Sequence, residues 1–178
     1  MIIEDNNIKL RSLVDSEKEY KRIHKWCQEK DVYEWFEQRI LSYDEIVAKY
    51  KNKLYNTNQE VLIIEYNNKP IGLLQFYKYD GEIYSFIKEY EDIYTFDMFI
   101  GEKELYSKGL GNRIMNIITD HLFKKCDLIL LTPCKRNIRC IKCCIKSGYK
   151  VVHEYKTKDT IGNDEEYYVM IRSKNGNN

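Results

Sequence analysis

Across the segment Lys108-Gly109-Leu110-Gly111-Asn112-Arg113 the sequence changes period, and few folds admit such a change at a pair of glycines. Before it, Ile93 to Ile100 is rich in β-branched and aromatic residues and reads as a strand. After it, Leu110, Ile114, Ile117, Ile118 and Leu122 recur at helical spacing, so Leu110 to Lys124 reads as a helix. Glycines one residue apart between strand and helix remove side chains where a ligand meets the backbone. The free N–H groups of the helix's first turn then attract phosphate. The segment lacks the third glycine of the dinucleotide fingerprint and the trailing Lys-Ser/Thr of a nucleotide P-loop, which leaves a pyrophosphate held by backbone or a plain turn.

The other elements follow from similar signals. Ile8 to Leu13 reads as a first strand, and Ser16 with Glu19, then Ser42 with Glu45, show the capping-box spacing that starts a helix. The second of these helices runs to about Tyr55. Glu60 to Tyr66 and Ile71 to Tyr79 form a hairpin around Asn67-Asn68-Lys69-Pro70. Leu128 to Leu131 is a short buried strand, and Ile138 to Lys146 a helix ended by Gly148. Tyr149 to Tyr155 and Glu166 to Ile171 close the chain as strands around Gly162-Asn163. The order β, α, α, β, β, β, α, β, α, β, β predicts an α/β fold with a mixed sheet. At 178 residues without an internal linker, one domain over 1–172 and a polar tail over 173–178 are expected.

Several classes are excluded. The longest apolar runs fall far short of the roughly 20 residues that cross a bilayer. The acids and amides of the first ten residues do not read as a secretory signal, so the cytoplasm is the expected compartment. The six cysteines are read as reduced thiols, since a chain of this length and helical pattern is not a disulfide scaffold. A net charge of +1 argues against a general nucleic-acid binder. The charge is unevenly spread, however. Asp80, Glu82, Glu89, Glu91, Asp92 and Asp97 stand against one lysine, and Asp159, Asp164, Glu165 and Glu166 add a second acidic stretch. Between Leu128 and Val152 there are six cations and no acid. Solvated surface explains each stretch singly, whereas together they point to one anionic and one cationic ligand.

The loop at Gly109 and Gly111 resembles the Gln/Arg-x-x-Gly-x-Gly/Ala phosphate loop of the general N-acetyltransferase (GNAT) superfamily, with Tyr106 in place of the Gln or Arg. Asn137 through Gly148-Tyr149 is similar to that superfamily's Asn-x-x-Ala-x-x-x-Tyr-x-x-x-Gly-Phe segment. Four further segments resemble the aminoglycoside 6'-N-acetyltransferases in the same order: 24–26, 32–36, 69–77 and 96–101. The resemblance covers roughly Ile8 to Arg172. It implies a mostly antiparallel sheet flanked by helices and acetyl-CoA as co-substrate, held by Phe99, Ile100, Lys108, Gly109, Leu110, Gly111, Asn112, Arg113 and Asn137. It also implies an aminoglycoside substrate acetylated at its 6'-amine, conferring resistance. The same chemistry on a polyamine or protein N-terminus, or a non-catalytic coenzyme A sensor, are the alternatives.

The residues agree with amine chemistry. Asp is disfavoured in strands, yet Asp97 lies mid-strand, so it faces solvent, is paired, or has a task. An ammonium must lose a proton before attacking a thioester, and Asp97 is the candidate base; ground-state pairing with a cation is the competing role. The superfamily often supplies a Tyr to protonate the departing thiolate. Cys144 stands there, as candidate acid or as packing. Cys140, Cys143 and Cys144 share a helical face, but no second Cys or His pair stands at zinc-knuckle spacing, so no metal is expected. Glu91, Asp92, Asp97, Glu165 and Glu166 are candidates for a cation-selecting cleft, with Trp26, Trp35, Gln75 and Tyr77 as its walls. Thr132 replaces an Asp that the resemblance leads one to expect. Oligomeric state is not legible.

Overall fold

The computed structural model describes residues 1–55, 58–82 and 84–176. Its elements run β1 (Ile2–Asp5), β2 (Ile8–Ser12), α1 (Glu17–Cys27), α2 (Lys30–Phe36), α3 (Tyr43–Tyr55), β3 (Gln59–Tyr66) and β4 (Lys69–Lys78). They continue through β5 (Ile93–Ile100), α4 (Leu110–Leu122), β6 (Leu128–Leu131), α5 (Ile138–Lys146), β7 (Lys150–Lys158) and β8 (Asp164–Ser173). All eight strands form one sheet in the order β1-β2-β3-β4-β5-β6-β8-β7. This is the expected GNAT-type α/β architecture, a mostly antiparallel sheet flanked by helices.

Side-chain alternation sends the two faces of the sheet to different helices. On one face Ile114, Met115, Ile118 and Leu122 of α4 pack against Leu10, Ile64, Leu74, Phe96 and Met170. On the other, Tyr20, Ile23 and Trp26 of α1 and Ile46 and Tyr50 of α3 pack against Val61, Ile63, Leu73 and Phe99. Because both faces are covered, β3 reads as the continuous apolar run Val61-Leu62-Ile63-Ile64, all buried. Each such side chain contributes about 1.5–3 kcal/mol by leaving water. Two glycines permit close approaches beside β5. A Cβ on Gly72 would stand 2.1 Å from the Phe99 carbonyl oxygen, and one on Gly101 2.2 Å from the Trp26 ring.

The caps work as their spacing predicts, with one difference. At α3 the box closes: the Glu45 carboxylate accepts from the Ser42 N–H at 2.8 Å and the Ser42 hydroxyl accepts from the Glu45 N–H at 3.3 Å. At α1 Ser16 accepts from the Glu19 N–H, but the Glu19 carboxylate turns inward to Arg11 (2.7 Å) and Arg22 (2.6 Å). The hairpin turn is Asn67-Asn68, both at positive φ (50° and 61°), a conformation Asn tolerates. Two elements were not expected, β1 and α2. The last strands are longer than expected, and Ser173 of the expected tail belongs to β8. Asn177 and Asn178 of that tail lie outside the described residues. Among the described residues, no helix is long and apolar enough to cross a membrane.

Candidate functional site

The site begins where the sheet comes apart. Neighbouring strands pair antiparallel except β5 and β6, which run parallel, α4 supplying the crossover that parallel strands require. Their ladder holds only Ile93 to Leu128 and Tyr94 to Ile129. Beyond Tyr94, β5 keeps its pairing to β4 as far as Ile100 and has no ladder partner on its other edge. A polar backbone edge is thereby left beside a cleft of about 640 Å³. Residues 96–100 of β5, 109–112 of α4 and its cap, 131–134 after β6, and 31–36 of α2 line it, with α5 completing the wall.

The phosphate-loop end is built by Gly109, whose φ of 76° lies in the left-handed region and which caps α4 without a side chain. The first N–H groups of α4 therefore receive no side-chain cap. A Cβ on Gly111 would meet Cys143 Sγ at 3.5 Å and Met98 Cε at 3.8 Å, ordinary contacts. Packing does not demand glycine there, whereas a ligand lying against the backbone would. The residues thus fit a pyrophosphate-bearing coenzyme. Of the residues expected to hold it, Phe99, Ile100, Gly109, Leu110, Gly111, Asn112 and Asn137 line the cleft. Asn137 caps α5 by accepting from the Cys140 N–H at 3.1 Å, and Asn112 donates to the Ser147 hydroxyl at 2.6 Å, joining α4 to the end of α5. The side chains of two further residues lie elsewhere. Lys108 is exposed and Arg113 reaches back to Asn7 Oδ1 at 2.9 Å, so neither lines the cleft. The cations that do are Arg136, Arg139, Lys142 and Lys146.

At the other end stands Asp97, half-buried on the stretch of β5 that pairs with β4 but not with β6. Its Oδ2 accepts from Gln75 Nε2 at 3.0 Å and from the Tyr77 hydroxyl at 3.4 Å. Gln75 lies directly across the β4–β5 ladder from Asp97. The Tyr77 phenol is held well above its ordinary range by burial and by the Asp97 charge. Gln75 Oε1 in turn accepts from the Lys53 ammonium. Burial, with Lys49 nearby, lowers the Lys53 pKa to about 8. Gln75 and Tyr77 are thus partners of Asp97 and do not line the cleft as walls.

Other acceptor-side expectations fare differently. Trp35 lines the cleft under the Arg136 guanidinium, 5.2 Å from its ring centre. Trp26 does not: it is 0% exposed, donates to Glu102 at 2.8 Å and packs edge-on against Phe99. Glu91 and Asp92 precede β5 and border a separate cavity with Lys124, Lys125 and Lys174; Asp92 pairs with Lys78 at 2.7 Å. Glu165 lines the cleft, bound to Arg136 at 2.8 Å. Glu166 lies outside it, paired with Lys135 and Lys156. Cys144 borders the cleft but is 0% exposed, and the neighbouring Cys140 sulfur and burial push its pKa far up. The Cys144 side chain belongs to the same buried cluster as Leu110, Ile114 and Tyr149.

Asp31 and Glu34 were missed as site residues. Both line the cleft, and across it Asp31 pairs with Arg139 at 3.2 Å and Glu34 with Arg136 at 3.7 Å. The available signal was their i, i+3 spacing beside Trp35, which places two acids on one helical face. Among the described residues no cluster of three His, Cys, Asp or Glu side chains is arranged to hold a metal.

The family model described as an acetyltransferase (GNAT) domain matches residues 15–157. Among solved structures, the aminoglycoside acetyltransferase AAC(6')-Ib in complex with coenzyme A is similar at a TM-score of 0.78 and 20% identity, over 95% of this chain and 96% of that one. The spermidine N-acetyltransferase from Vibrio cholerae, with CoA and spermine, is similar at 0.76 and 18%, over 97% and 98%. The ribosomal L7/L12 alpha-N-protein acetyltransferase RimL, with coenzyme A, is similar at 0.77 and 11%, also over 97% and 98%. At these identities the structural likenesses speak for the fold, while the family model spans most of the chain. With a split β5–β6 ladder and an uncapped glycine turn beside it, this chain belongs to the GNAT acetyltransferase family and is an acetyl-CoA-dependent N-acetyltransferase.

Proposed function

We propose that the protein is an aminoglycoside 6'-N-acetyltransferase acting in the cytoplasm and conferring resistance to the antibiotic. The observation that carries this reading is the placement of Asp97 on the stretch of β5 that does not pair with β6, within a cleft that also presents Asp31 and Glu34. An ammonium competes with Arg139 and Arg136 for Asp31 and Glu34, whereas among the described residues Asp97 accepts from Gln75 and Tyr77 and makes no ion pair of its own, so it can meet a cation directly. The motif resemblance over 24–26, 32–36, 69–77 and 96–101 supports the same substrate class, as does the likeness to AAC(6')-Ib, also solved with coenzyme A and kanamycin.

Asp97 takes a proton from the 6'-ammonium, directly or through one water, and the freed amine attacks the thioester carbonyl carbon. The C–N bond forms, the C–S bond breaks, coenzyme A leaves as thiolate, and the second proton of the attacking nitrogen passes to that thiolate or to solvent, leaving the neutral amide. The unpaired backbone near Phe99 polarises the carbonyl as an oxyanion site does. The backbone of residues 109–112 and the cations Arg136 and Arg139 hold the pyrophosphate end.

The test is thiol release from acetyl-CoA at neutral pH with kanamycin, spermidine and a basic peptide offered separately. Kanamycin alone is expected to give rapid release. Release with spermidine or the peptide instead keeps the chemistry and overturns the substrate, and silence with all three overturns the choice of acceptor class.

A further inference from the structure

Asp97 is not held by the backbone alone, and the chain of contacts behind it has a direction. An ammonium has three donors and no acceptor, so the atom of Gln75 that meets Lys53 must be the carboxamide oxygen. The NH2 group of the same carboxamide then necessarily points the other way, where it donates to Asp97 Oδ2 at 3.0 Å. Without a cation on its far side the carboxamide would be held by the Asp97 carboxylate alone, at one end; the Lys53 ammonium fixes the oxygen end as well. Gln75 is 8% exposed, so water does not readily substitute for either partner. The Tyr77 hydroxyl also addresses Oδ2, at 3.4 Å. Among the described residues, both donors thus engage one oxygen, and Oδ1 is the oxygen left to meet an incoming amine.

We infer that Lys53 of α3 is a positioning residue for acetyl transfer: its ammonium orients the Gln75 carboxamide, and Gln75 fixes the rotation of the Asp97 carboxylate toward the acceptor. The inference rests on the reading of Asp97 as the group that meets the amine. Lys53 never touches the acceptor in this scheme and does not line the cleft. The groups facing it are Lys49 on its own helix, the Tyr50 ring 5.7 Å from its nitrogen, Glu37 after α2, and Asp97 on β5. Burial and Lys49 lower its pKa to about 8, while Glu37 and Asp97 oppose that change. Above that pH the amine accepts as well as donates, and the charge-assisted hold on the Gln75 oxygen is lost, leaving Asp97 to orient the amide alone.

The test compares Lys53→Met, Lys53→Arg, Gln75→Leu and Asp97→Asn with the wild type, each checked for an unchanged melting profile, in the acetyl-CoA assay with kanamycin and spermidine. Lys53→Met and Gln75→Leu are expected to lower kcat by roughly tenfold, with the KM for acetyl-CoA unchanged, as follows from a reacting group displaced by a fraction of an ångström. Lys53→Arg keeps a cationic donor and is expected to recover most of the loss. In the Asp97→Asn background Lys53→Met is expected to add nothing. The wild-type kcat should fall above pH about 8, a limb that Lys53→Met lacks. A readout that needs no acceptor is the 15N–1H signal pair of the Gln75 carboxamide, expected to shift in both Lys53→Met and Asp97→Asn. Wild-type kcat in Lys53→Met, or an unmoved Gln75 signal, overturns the inference. Wild-type kcat in Asp97→Asn overturns the reading beneath it instead, so the two failures are distinct.

Discussion

Arg139 on α5 and Asp31 on α2 pair at 3.2 Å across the cleft, with the same guanidinium 4.7 Å over the Tyr106 ring. If Arg139 holds coenzyme phosphate as proposed, Asp31 competes with that phosphate for the same guanidinium. Both partners are about half exposed, and such pairs are worth about 0.2–1 kcal/mol. Asp31→Asn should bind acetyl-CoA roughly two- to fivefold more tightly, while the KM for a cationic acceptor rises. Titration calorimetry with coenzyme A checks the first part; weaker binding in Asp31→Asn would show that Arg139 depends on Asp31 for its placement.

Asp97→Asn preserves size and the ladder position opposite Gln75 but removes the proposed base. Turnover should fall by about two to four orders of magnitude, with the Kd of coenzyme A within twofold of wild type. A fall in coenzyme affinity instead would assign Asp97 to the architecture of the split sheet.

Cys144→Ala should keep near-wild-type kcat, because the thiol is buried and reluctant to ionise. Its cost should appear in stability, about 1–2 kcal/mol for the volume lost among Leu110, Ile114 and Tyr149. Denaturant melts beside steady-state assays separate the two; a large loss of kcat at unchanged stability would restore Cys144 as an acid.

The α3 cap carries a pH signature. Arg39 and the Ser42 backbone and hydroxyl lower the Glu45 pKa from 4.5 to about 2. A carboxylate whose folded value is depressed contributes stability that is present above its unfolded value and lost as pH falls through the folded one. The stability difference between wild type and Glu45→Gln should hence be constant above pH about 5 and shrink from 4.5 toward 2. A flat difference across that window refutes the capping role.

Much of this fold is legible because period and cap coincide. Ser42 and Glu45 mark α3, Asn67-Asn68 the hairpin, and the apolar spacing of 110–122 the helix behind the glycines. α2 escapes because it is seven residues long and Glu29, its N-cap, makes no side-chain capping bond, its carboxylate pairing with Lys103 instead, so neither signal is available. β1 escapes because its four residues are mostly exposed. At the site, an acid inside an apolar strand singles out Asp97. Glu91 and Asp92 share its charge but stand five or six residues earlier, and at about 3.3 Å per strand residue that is far outside contact. Trp26 misleads for another reason: an indole has one donor, and a single half-buried carboxylate, Glu102, satisfies it, so the ring can sit wholly inside.

The short β5–β6 ladder has a thermodynamic corollary. Backbone amides from Thr95 to Ile100 whose N–H points toward the gap lack a sheet partner there, so they should exchange with deuterium faster than those bonded to β4. A coenzyme lying in the gap should slow that exchange and add folding free energy by mass action, about 2.7 kcal/mol at a hundredfold excess over its Kd. The lifetime of this protein in a cell would then follow the supply of the metabolite it consumes, rising when acetyl-CoA is plentiful and falling in starvation.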